Sequence, residues 1–255
     1  MKVSILGSGN VATILGRKIL LAGHTITQVI SQNEEHARIL AKELNCRYGS
    51  GWESVGRDAD LYILALPDDV LNSIGKNLGH PKKIVVHTAG SVSKDVLQES
   101  AKNFGVLYPL QSLRKELKEL PEIPFLVDAN TEDGLTIIYD FAKTLSENVQ
   151  VAGDEKRLKL HLASVIVNNF VNHLYSLAEH YCKSENLDFS WLFPLIEETA
   201  GRLRNFSPAA VQTGPAIRKD FLTLEKHLAL LEGYPEIKKV YELLTREIQQ
   251  SHNQL

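Results

Sequence analysis

The chain contains 255 residues, of which 44% are hydrophobic and 23% are charged, so its composition is that of a globular protein rather than a disordered one. Lys and Arg number 28 against 31 Asp and Glu, and the net charge of −3 argues against a nucleic-acid binder. Two cysteines cannot form a disulfide framework, and no run of 18 apolar residues predicts a membrane span. We therefore expect a cytoplasmic protein with one large domain or two small ones.

Strand-like and helical segments alternate through the first part of the chain. Short apolar or β-branched runs predict strands, and the segments between several of them have helical spacing. The predicted strands are 3–6, 25–30, 61–66, 83–86, 105–108, 124–127 and 148–151, and the predicted helices are 11–22, 34–44, 68–78 and 132–145. This alternation predicts an α/β fold with a doubly wound, mainly parallel sheet.

The pattern changes after Gly153, where strand-like runs give way to helical spacing alone. The predicted helices are 155–184, 191–205, 218–231 and 235–251. This change predicts a dinucleotide-binding domain at 1–153 and a helical substrate and dimerisation domain at 154–255. We expect a homodimer through the helical domain, because the first domain cannot cover all the apolar faces of about 100 helical residues.

A G-x-G-x-x-A pattern lies between the first predicted strand and the first predicted helix. The first glycine permits a tight turn, the second leaves room for a pyrophosphate, and the alanine allows the helix to pack closely on the strand. The N-terminus of the helix adds free N–H groups for the anion. Because this context is the one that the motif requires, we predict a dinucleotide site rather than a turn that binds nothing. Its residues are Gly7, Ser8, Gly9, Asn10, Val11 and Ala12.

The residues after the second predicted strand bear on the choice between NAD and NADP. An NAD site usually has an acid about 20 residues beyond the fingerprint, where the carboxylate binds the ribose 2′-hydroxyl. The sequence there is Ser31-Gln32-Asn33, which contains no acid and favours NADP. Two glutamates follow and no arginine stands in this turn, so NAD is also possible.

A proline turn ends the apolar run 61–66. Ligands of an open parallel sheet bind beyond the carboxyl ends of its strands, so we expect Leu66 and Pro67 to border the nicotinamide half of the cofactor. Asp68 follows, and it is equally well interpreted as the N-cap of the next helix.

Five segments together resemble a known family. They are the fingerprint, the 66–68 turn (LPD), 87–91 (HTAGS), 108–112 (YPLQS) and 213–220 (TGPAIRKD), followed by an all-helical end. They look like Rossmann-like proteins with a DUF2520 C-terminal domain, which are generally described as NADP-dependent oxidoreductases. More distantly, the layout is similar to pyrroline-5-carboxylate reductase and to the 6-phosphogluconate and β-hydroxyacid dehydrogenases. The resemblance covers essentially the whole chain and implies a Rossmann fold, a nicotinamide cofactor, a helical domain like that of 6-phosphogluconate dehydrogenase, and dimerisation.

One feature departs from the β-hydroxyacid dehydrogenases. Those enzymes have a lysine one turn before an Asn-Asn pair in the long helix. Here Asn168 and Asn169 are preceded by Ser-Val-Ile-Val at 164–167. The missing lysine argues against simple hydroxyacid dehydrogenase chemistry.

Polar residues near the predicted strand ends could take part in the reaction. His87 could exchange a proton at neutral pH, or its ring could be satisfied by a turn. Tyr108 could donate to a substrate carbonyl, or it could be a core side chain. Arg218 could bind a carboxylate or phosphate, or lie on a solvated helix face. The other substrate contacts predicted in the first domain are Ser91, Gln111 and Ser112.

A polar stripe runs along the predicted helix 155–184. At 100° per residue, five residues fall within about 60° of His161, and the other faces are apolar. A helix of this kind is expected to be buried, so the stripe must find partners, either in a substrate cleft or across a subunit interface. We favour the cleft, with His161 as a candidate acid, Asn168 positioning substrate or nicotinamide, and Asn172 contacting substrate. The stripe consists of His161, Ser164, Val165, Asn168, Asn172 and Tyr175.

These features predict a two-domain oxidoreductase that transfers hydride to or from a C=O or C=N bond of a small metabolite in a cleft between the domains. The alternative is a dinucleotide-binding sensor or scaffold without turnover, because a fold does not determine a function. No metal site is predicted, since the nine histidines show neither HxxxH nor HExxH spacing.

Overall fold

A computed structural model describes residues 1–74, 78, 83–117 and 119–252. Eight strands form one sheet in the order β3-β2-β1-β4-β5-β6-β7-β8, and every neighbouring pair is parallel except β6 and β7. The strands are β1 (Lys2–Leu6), β2 (Thr25–Ile30), β3 (Arg47–Gly49), β4 (Leu61–Leu64), β5 (Ile84–His87), β6 (Asn103–Pro109), β7 (Phe125–Ala129) and β8 (Val149–Val151). The predicted α/β fold with a mainly parallel sheet is confirmed.

Four helices accompany the sheet: α1 (Asn10–Leu21), α2 (Glu34–Glu43), α3 (Asp68–Asn72) and α4 (Glu132–Leu145). Polar caps define where two of them begin: the side chain of Asn33 accepts from the His36 amide, and that of Thr131 accepts from the Gly134 amide. The helix predicted at 68–78 is shorter, because α3 ends at Asn72, and positions 75–77 of that prediction lie outside the described residues.

Apolar side chains cover both faces of the sheet. All four residues of β4 are buried: Leu61 and Ile63 belong to the core on one face, and Tyr62 and Leu64 to the core on the other. A strand covered on both faces is typical of parallel sheets, so a short continuous apolar run was a reliable signal here. The short edge strand β3 was not predicted, because none of its three residues is buried.

The described residues from Asp154 to His252 form helices and contain no strand. The helices are α5 (Asp154–Ser164), α6 (Val171–Ser184), α7 (Phe193–Gly201), α8 (Phe221–Leu230) and α9 (Pro235–His252), and the residues between α5 and α6 form a π-helical turn, Val165–Phe170. The chain divides into two compact units, Met1–Asn169 and Phe170–Leu255. The domain boundary at 153 stays a prediction. No described helix combines the length and hydrophobicity needed to span a bilayer.

The expectation that the helix after Gly153 is buried is wrong for the single chain. Leu162, Val167 and Phe170 are all more than half exposed. The predicted stripe also loses its spacing after Ser164, because hydrogen bonds in a π-helix join residues i and i+5, and each residue therefore turns the helix by less than 100°. The apolar spacing of this helix predicts that another surface covers it. The spacing does not show whether that surface belongs to the same chain or to a partner.

Candidate cofactor and active site

The fingerprint turn lies between β1 and α1, and its two glycines have different roles. Gly7 has φ of +124°, and a Cβ there would lie 2.1 Å from the carbonyl oxygen of Ala65, so this position requires glycine. A Cβ at Gly9 would meet no atom within 4 Å. The space beside Gly9 is therefore open to a ligand, as a pyrophosphate-binding turn requires. Ala12 is fully buried behind the turn.

A cavity of about 540 Å³ opens at the carboxyl ends of β1, β2, β4 and β5. The fingerprint forms its middle, and the sheet order places the β2 end and the β4–β5 end on opposite sides of β1. Gly51 and Trp52, which the sequence did not single out, line it as well. The predicted cofactor residues that line it are Gly7, Ser8, Gly9, Asn10, Val11, Ser31, Gln32, Leu66 and Pro67.

These residues fit a nicotinamide dinucleotide. Gly9 leaves the approach to the first turn of α1 open, where backbone N–H groups are free to bind an anion. At the β2 end, the hydroxyls of Ser8 and Ser31 are 2.9 Å apart, and the described residues that line this end include no acid that would repel a 2′-phosphate. Arg38, the nearest arginine in the sequence, is paired with Glu35 instead.

Several other predicted residues do not line this cavity. Asn33 caps α2. The side chain of Gln111 closes its own turn, because Oε1 accepts from the Ser112 amide at 2.9 Å and Nε2 donates to the Glu122 carbonyl at 3.2 Å. The hydroxyl of Ser91, in contrast, donates to the carboxylate of Asp68, which lines the cavity. Four further predicted site residues are exposed and lie outside the cavity lining: Ser112, Asn168, Asn172 and Arg218.

Tyr108 and His161 form a hydrogen-bonded pair behind the cavity wall. The Tyr108 hydroxyl lies 2.9 Å from Nδ1 of His161, and the two rings meet edge to face. Gly90 lines the cavity, and a Cβ there would lie 2.7 Å from Nδ1 of His161 and 2.9 Å from Cζ of Tyr108. Glycine at position 90 therefore lets both rings pack directly behind the wall at the β4–β5 end of the cavity.

Burial raises the pKa of the Tyr108 hydroxyl, and the negative charge of Asp68 adds to this effect. The phenol is consequently neutral near pH 7 and holds a proton that it can donate. The sequence was compatible both with a functional role for Tyr108 and with a place for it in the core. Its partner, 53 residues later in the chain, could not be identified from spacing.

His87 is placed differently from His161. It is fully buried at the end of β5, and Nδ1 accepts from the Ala89 amide at 3.2 Å. Its Nε2 has no hydrogen-bond partner within the described part of the chain. Burial, together with the charge of Arg157, lowers the pKa of His87 to about 4. The ring is therefore neutral near pH 7 and does not line the cavity, so the geometry favours His161 over His87 as a proton-transfer group.

Arg157, which sequence reasoning missed, anchors α5 to the loop after β5. Its almost fully buried guanidinium donates to the carbonyl of Val92 and, at 2.9 Å, to the carboxylate of Asp154. Asp154 in turn accepts from the hydroxyl of Ser93 and the amide of Lys94. Residues four apart in a helix lie on one face, so this anchor positions the face that also carries His161.

Comparison with known proteins identifies the family. The model for coenzyme F420-dependent NADP oxidoreductases matches residues 2–91, and the DUF2520 model, a domain of unknown function, matches residues 123–248. No curated protein shows significant similarity to the chain. A solved structure from Bacteroides fragilis, described as a candidate NADP oxidoreductase, is 37% identical over 98% of both chains, with a TM-score of 0.91.

More distant structures share the fold alone. A reductive aminase from Aspergillus terreus, in complex with NADPH and ethyl-5-oxohexanoate, is 15% identical over 99% of this chain and 94% of its own, with a TM-score of 0.70. The 1-pyrroline-5-carboxylate reductase of Streptococcus pyogenes is 14% identical over 98% of both chains, with a TM-score of 0.62. With the match to the Bacteroides fragilis protein and both family models, the chain belongs to the NADP-dependent oxidoreductase family whose members join a Rossmann domain to a DUF2520 domain.

Proposed function

We propose that this protein uses NADP(H) to transfer hydride to or from a C=O or C=N bond of a small metabolite. The observation that carries the proposal is the cavity itself, which has the fingerprint turn in its middle and the Tyr108–His161 pair directly behind Gly90 at one end. The nicotinamide cofactor supplies the hydride, and the protein must supply binding, orientation and a proton.

Different residues of this chain would bind the different parts of the cofactor. Gly9 and the first turn of α1 would hold the pyrophosphate. Ser8, Ser31 and Gln32 would face the adenosine ribose, where two hydroxyls and an amide can donate to a 2′-phosphate. Leu66 and Pro67 would exclude water at the nicotinamide end. These assignments make NADP(H) the expected cofactor rather than NAD(H).

Tyr108 is the proton donor in this proposal. Its hydroxyl is neutral near pH 7, and His161 at 2.9 Å can take up the phenolic proton or return one to it. Asn168 and Asn172 are exposed in the single chain, and a role for them in substrate binding remains part of the proposal rather than of the described cavity.

We also propose that the protein acts as a cytoplasmic homodimer. Large apolar side chains of the helical region are exposed in the single chain, among them Trp191 at 82% and Leu222 at 74%. Exposed apolar area on this scale is typical of a surface that a partner covers. The free cysteines Cys46 and Cys182 are compatible with a reducing compartment.

The deciding experiment is oxidation of NADPH against a panel of small carbonyl compounds and imines, run beside thermal-shift titrations with NADPH and NADH. Stabilisation by a ligand follows RT ln(1 + [L]/Kd), so the tighter cofactor raises the melting temperature more at equal concentration. We expect a larger shift with NADPH and turnover of at least one substrate class. Tight NADPH binding without any turnover would favour the sensor alternative, and a larger shift with NADH would refute the cofactor assignment.

A further inference from the structure

Trp52 is the one aromatic side chain among the described residues that line the cavity at the carboxyl ends of the strands. It begins a short 3₁₀ turn, Trp52–Ser54, which follows β3 in the chain. The sheet order places β3 beside β2, so this side chain lies at the end of the cavity where the adenosine ribose is proposed to bind. The proposed function assigns it no role.

Two hydrogen bonds tie the segment that carries Trp52 to the end of β2. The amide of Ser31 donates to the carbonyl of Gly49 at 3.2 Å. The hydroxyl of Ser50 donates to the carbonyl of Gln32 at 3.1 Å. Ser31 and Gln32 are the residues proposed to face the ribose, and adenine is attached directly to that ribose. The turn at Trp52 is therefore next to the expected position of the base.

The turn also holds the indole in place. Trp52 is half-buried and packs against the core cluster that contains Leu6 and Ile30, two residues that line the cavity as well. Its carbonyl accepts from the amide of Val55 at 3.2 Å, which closes the turn. The preceding residue, Gly51, lines the cavity and has no side chain to obstruct a base. A side chain fixed in this way loses little conformational entropy when a ligand binds to it.

The chemistry of the lining favours an aromatic contact with the base. The described residues that line the cavity include no lysine, arginine or histidine, so none of them offers a cationic side chain to the phosphates of the adenosine half. Backbone N–H groups and hydroxyls can bind these phosphates. The flat face of adenine needs an apolar or aromatic partner, and an indole provides a large one. Stacking of a base on an aromatic side chain contributes substantially to the affinity of nucleic-acid ligands.

We propose that Trp52 binds the adenine of the dinucleotide by stacking of the indole on the base. This inference rests on the proposed function and adds to it the residue that recognises the base. The contact provides affinity at the adenosine end, where the described lining has no cationic side chain. It also fixes the position of the adenosine half, from which the rest of the dinucleotide extends across the fingerprint turn.

The test begins with the fluorescence of Trp52 itself. The chain contains two tryptophans, so Trp191→Phe leaves Trp52 as the sole indole. The probe is 2′,5′-ADP, which carries the adenine and both ribose phosphates, has no nicotinamide and does not absorb indole emission. We expect it to quench the emission of Trp52 with the same Kd that calorimetry gives. Ribose 5-phosphate, which has no base, should leave the emission unchanged at the same concentration.

Two substitutions separate stacking from packing. Trp52→Leu keeps an apolar side chain against the core and removes the aromatic face, and it should weaken the binding of 2′,5′-ADP by about 5-fold to 100-fold. Trp52→Phe retains an aromatic face and should bind 2′,5′-ADP within about threefold of the wild type. Reduced nicotinamide mononucleotide, which has no adenine, is the control ligand and should bind equally to all three proteins. Thermal unfolding without ligand reports on the fold of each variant.

Three results overturn the inference. The first is binding of 2′,5′-ADP by calorimetry without quenching of Trp52. The second is a Trp52→Leu protein that keeps wild-type affinity for 2′,5′-ADP. The third is a loss that is equal in Trp52→Leu and Trp52→Phe, or that extends to reduced nicotinamide mononucleotide, because either pattern indicates a structural role. The quenching measurement keeps the natural residue at position 52, so it decides the question even where Trp52→Leu fails to fold.

The same measurements distinguish this inference from the proposed function. A wild-type protein that binds neither NADPH nor 2′,5′-ADP contradicts the proposed function and, with it, the inference. A protein that binds both ligands and gives one of the three results above contradicts the role of Trp52 alone.

Discussion

Nδ1 of His161 lies 2.9 Å from the hydroxyl of Tyr108, and the contact joins the end of β6 to the last turn of α5. The pair consists of two groups that exchange protons readily, held together by a fold that brings residues 53 positions apart into contact. A Cβ at Gly90 would lie 2.7 Å from Nδ1 of His161 and 2.9 Å from Cζ of Tyr108, so both rings pack against the backbone of a residue that lines the cavity.

The first prediction is that Tyr108→Phe lowers kcat about 100-fold or more, because general acid catalysis commonly contributes about 10²–10⁴-fold. The affinity for NADPH should not change, since Tyr108 does not line the cavity. Steady-state kinetics with the best substrate of the panel measures the first quantity and calorimetry the second. Tyr62→Phe is the control, because that hydroxyl donates to the Gly56 carbonyl within the core. Equal loss of kcat in both variants would contradict the role of Tyr108.

The second prediction separates the two fingerprint glycines. Gly9→Val should abolish dinucleotide binding and leave the melting temperature nearly unchanged, because its side chain enters space that only the ligand occupies. Gly7→Ala should lower the melting temperature, because its Cβ would collide with the Ala65 carbonyl at a positive φ. Calorimetry and thermal unfolding measure the two effects. A folded Gly9→Val protein with wild-type NADPH affinity would refute the site.

The third prediction concerns the anchor of α5. Arg157→Met should lower the free energy of unfolding by about 2–4 kcal/mol, because the Val92 carbonyl loses its buried donor and Asp154 loses its charged partner. Arg47→Met removes the exposed ion pair with Asp58 and should cost about 1 kcal/mol or less. Urea unfolding measures both. Similar losses in the two variants would mean that the anchor adds no stability beyond an ordinary surface pair.

The fourth prediction is a pH dependence that His87 causes. Its pKa in the folded protein is about 4, below the ordinary value of 6.5, so between these values the unfolded chain binds a proton that the folded chain does not. Stability is therefore fully present above pH 6.5 and falls as the pH is lowered toward 4, by about 3 kcal/mol at most. Urea unfolding at pH 7.5 and 4.5 should show a smaller loss in His87→Asn than in the wild type. Exposed His36→Asn is the control, and an unchanged loss in His87→Asn would contradict the prediction.

The fifth prediction is the assembly state. Light scattering at micromolar concentration should return twice the mass of the chain, because the apolar side chains of the helical region need a covering surface. Trp191→Glu places a charge on the most exposed of these large apolar side chains and should shift the equilibrium toward the monomer. A monomeric wild type would refute the homodimer.

The parts of the fold that could be predicted are those where local pattern and tertiary environment agree. The buried run 61–66 and the fingerprint turn carry their own signals, because a strand covered on both faces is apolar throughout and a tight turn beside a ligand needs glycine. The helix after Gly153 was placed correctly in the chain and wrongly in its environment. Its apolar residues are exposed in the single chain, and the π-helical turn at Val165–Phe170 has no signature in hydrophobic spacing.

The candidate site was harder to predict for a related reason. Gly9 and Ser31 could be assigned because their role depends on local sequence order. The Tyr108–His161 contact and the Arg157–Val92 bond join segments more than 50 residues apart, so no spacing rule identifies them. Asp68 was visible in the sequence, but only the structure shows that it lines the cavity and accepts a hydrogen bond from the hydroxyl of Ser91.

The crowding at Gly90 also bears on how this family can vary. A single methyl group at position 90 would meet the rings of Tyr108 and His161. Substitutions at these three positions in related proteins are therefore not independent of one another. A lineage that keeps both rings is confined to glycine at 90, whereas one that replaces the tyrosine or the histidine by a smaller residue is free to accept alanine or serine there. The residue at position 90 should therefore report, in any relative, whether the aromatic pair behind it is retained.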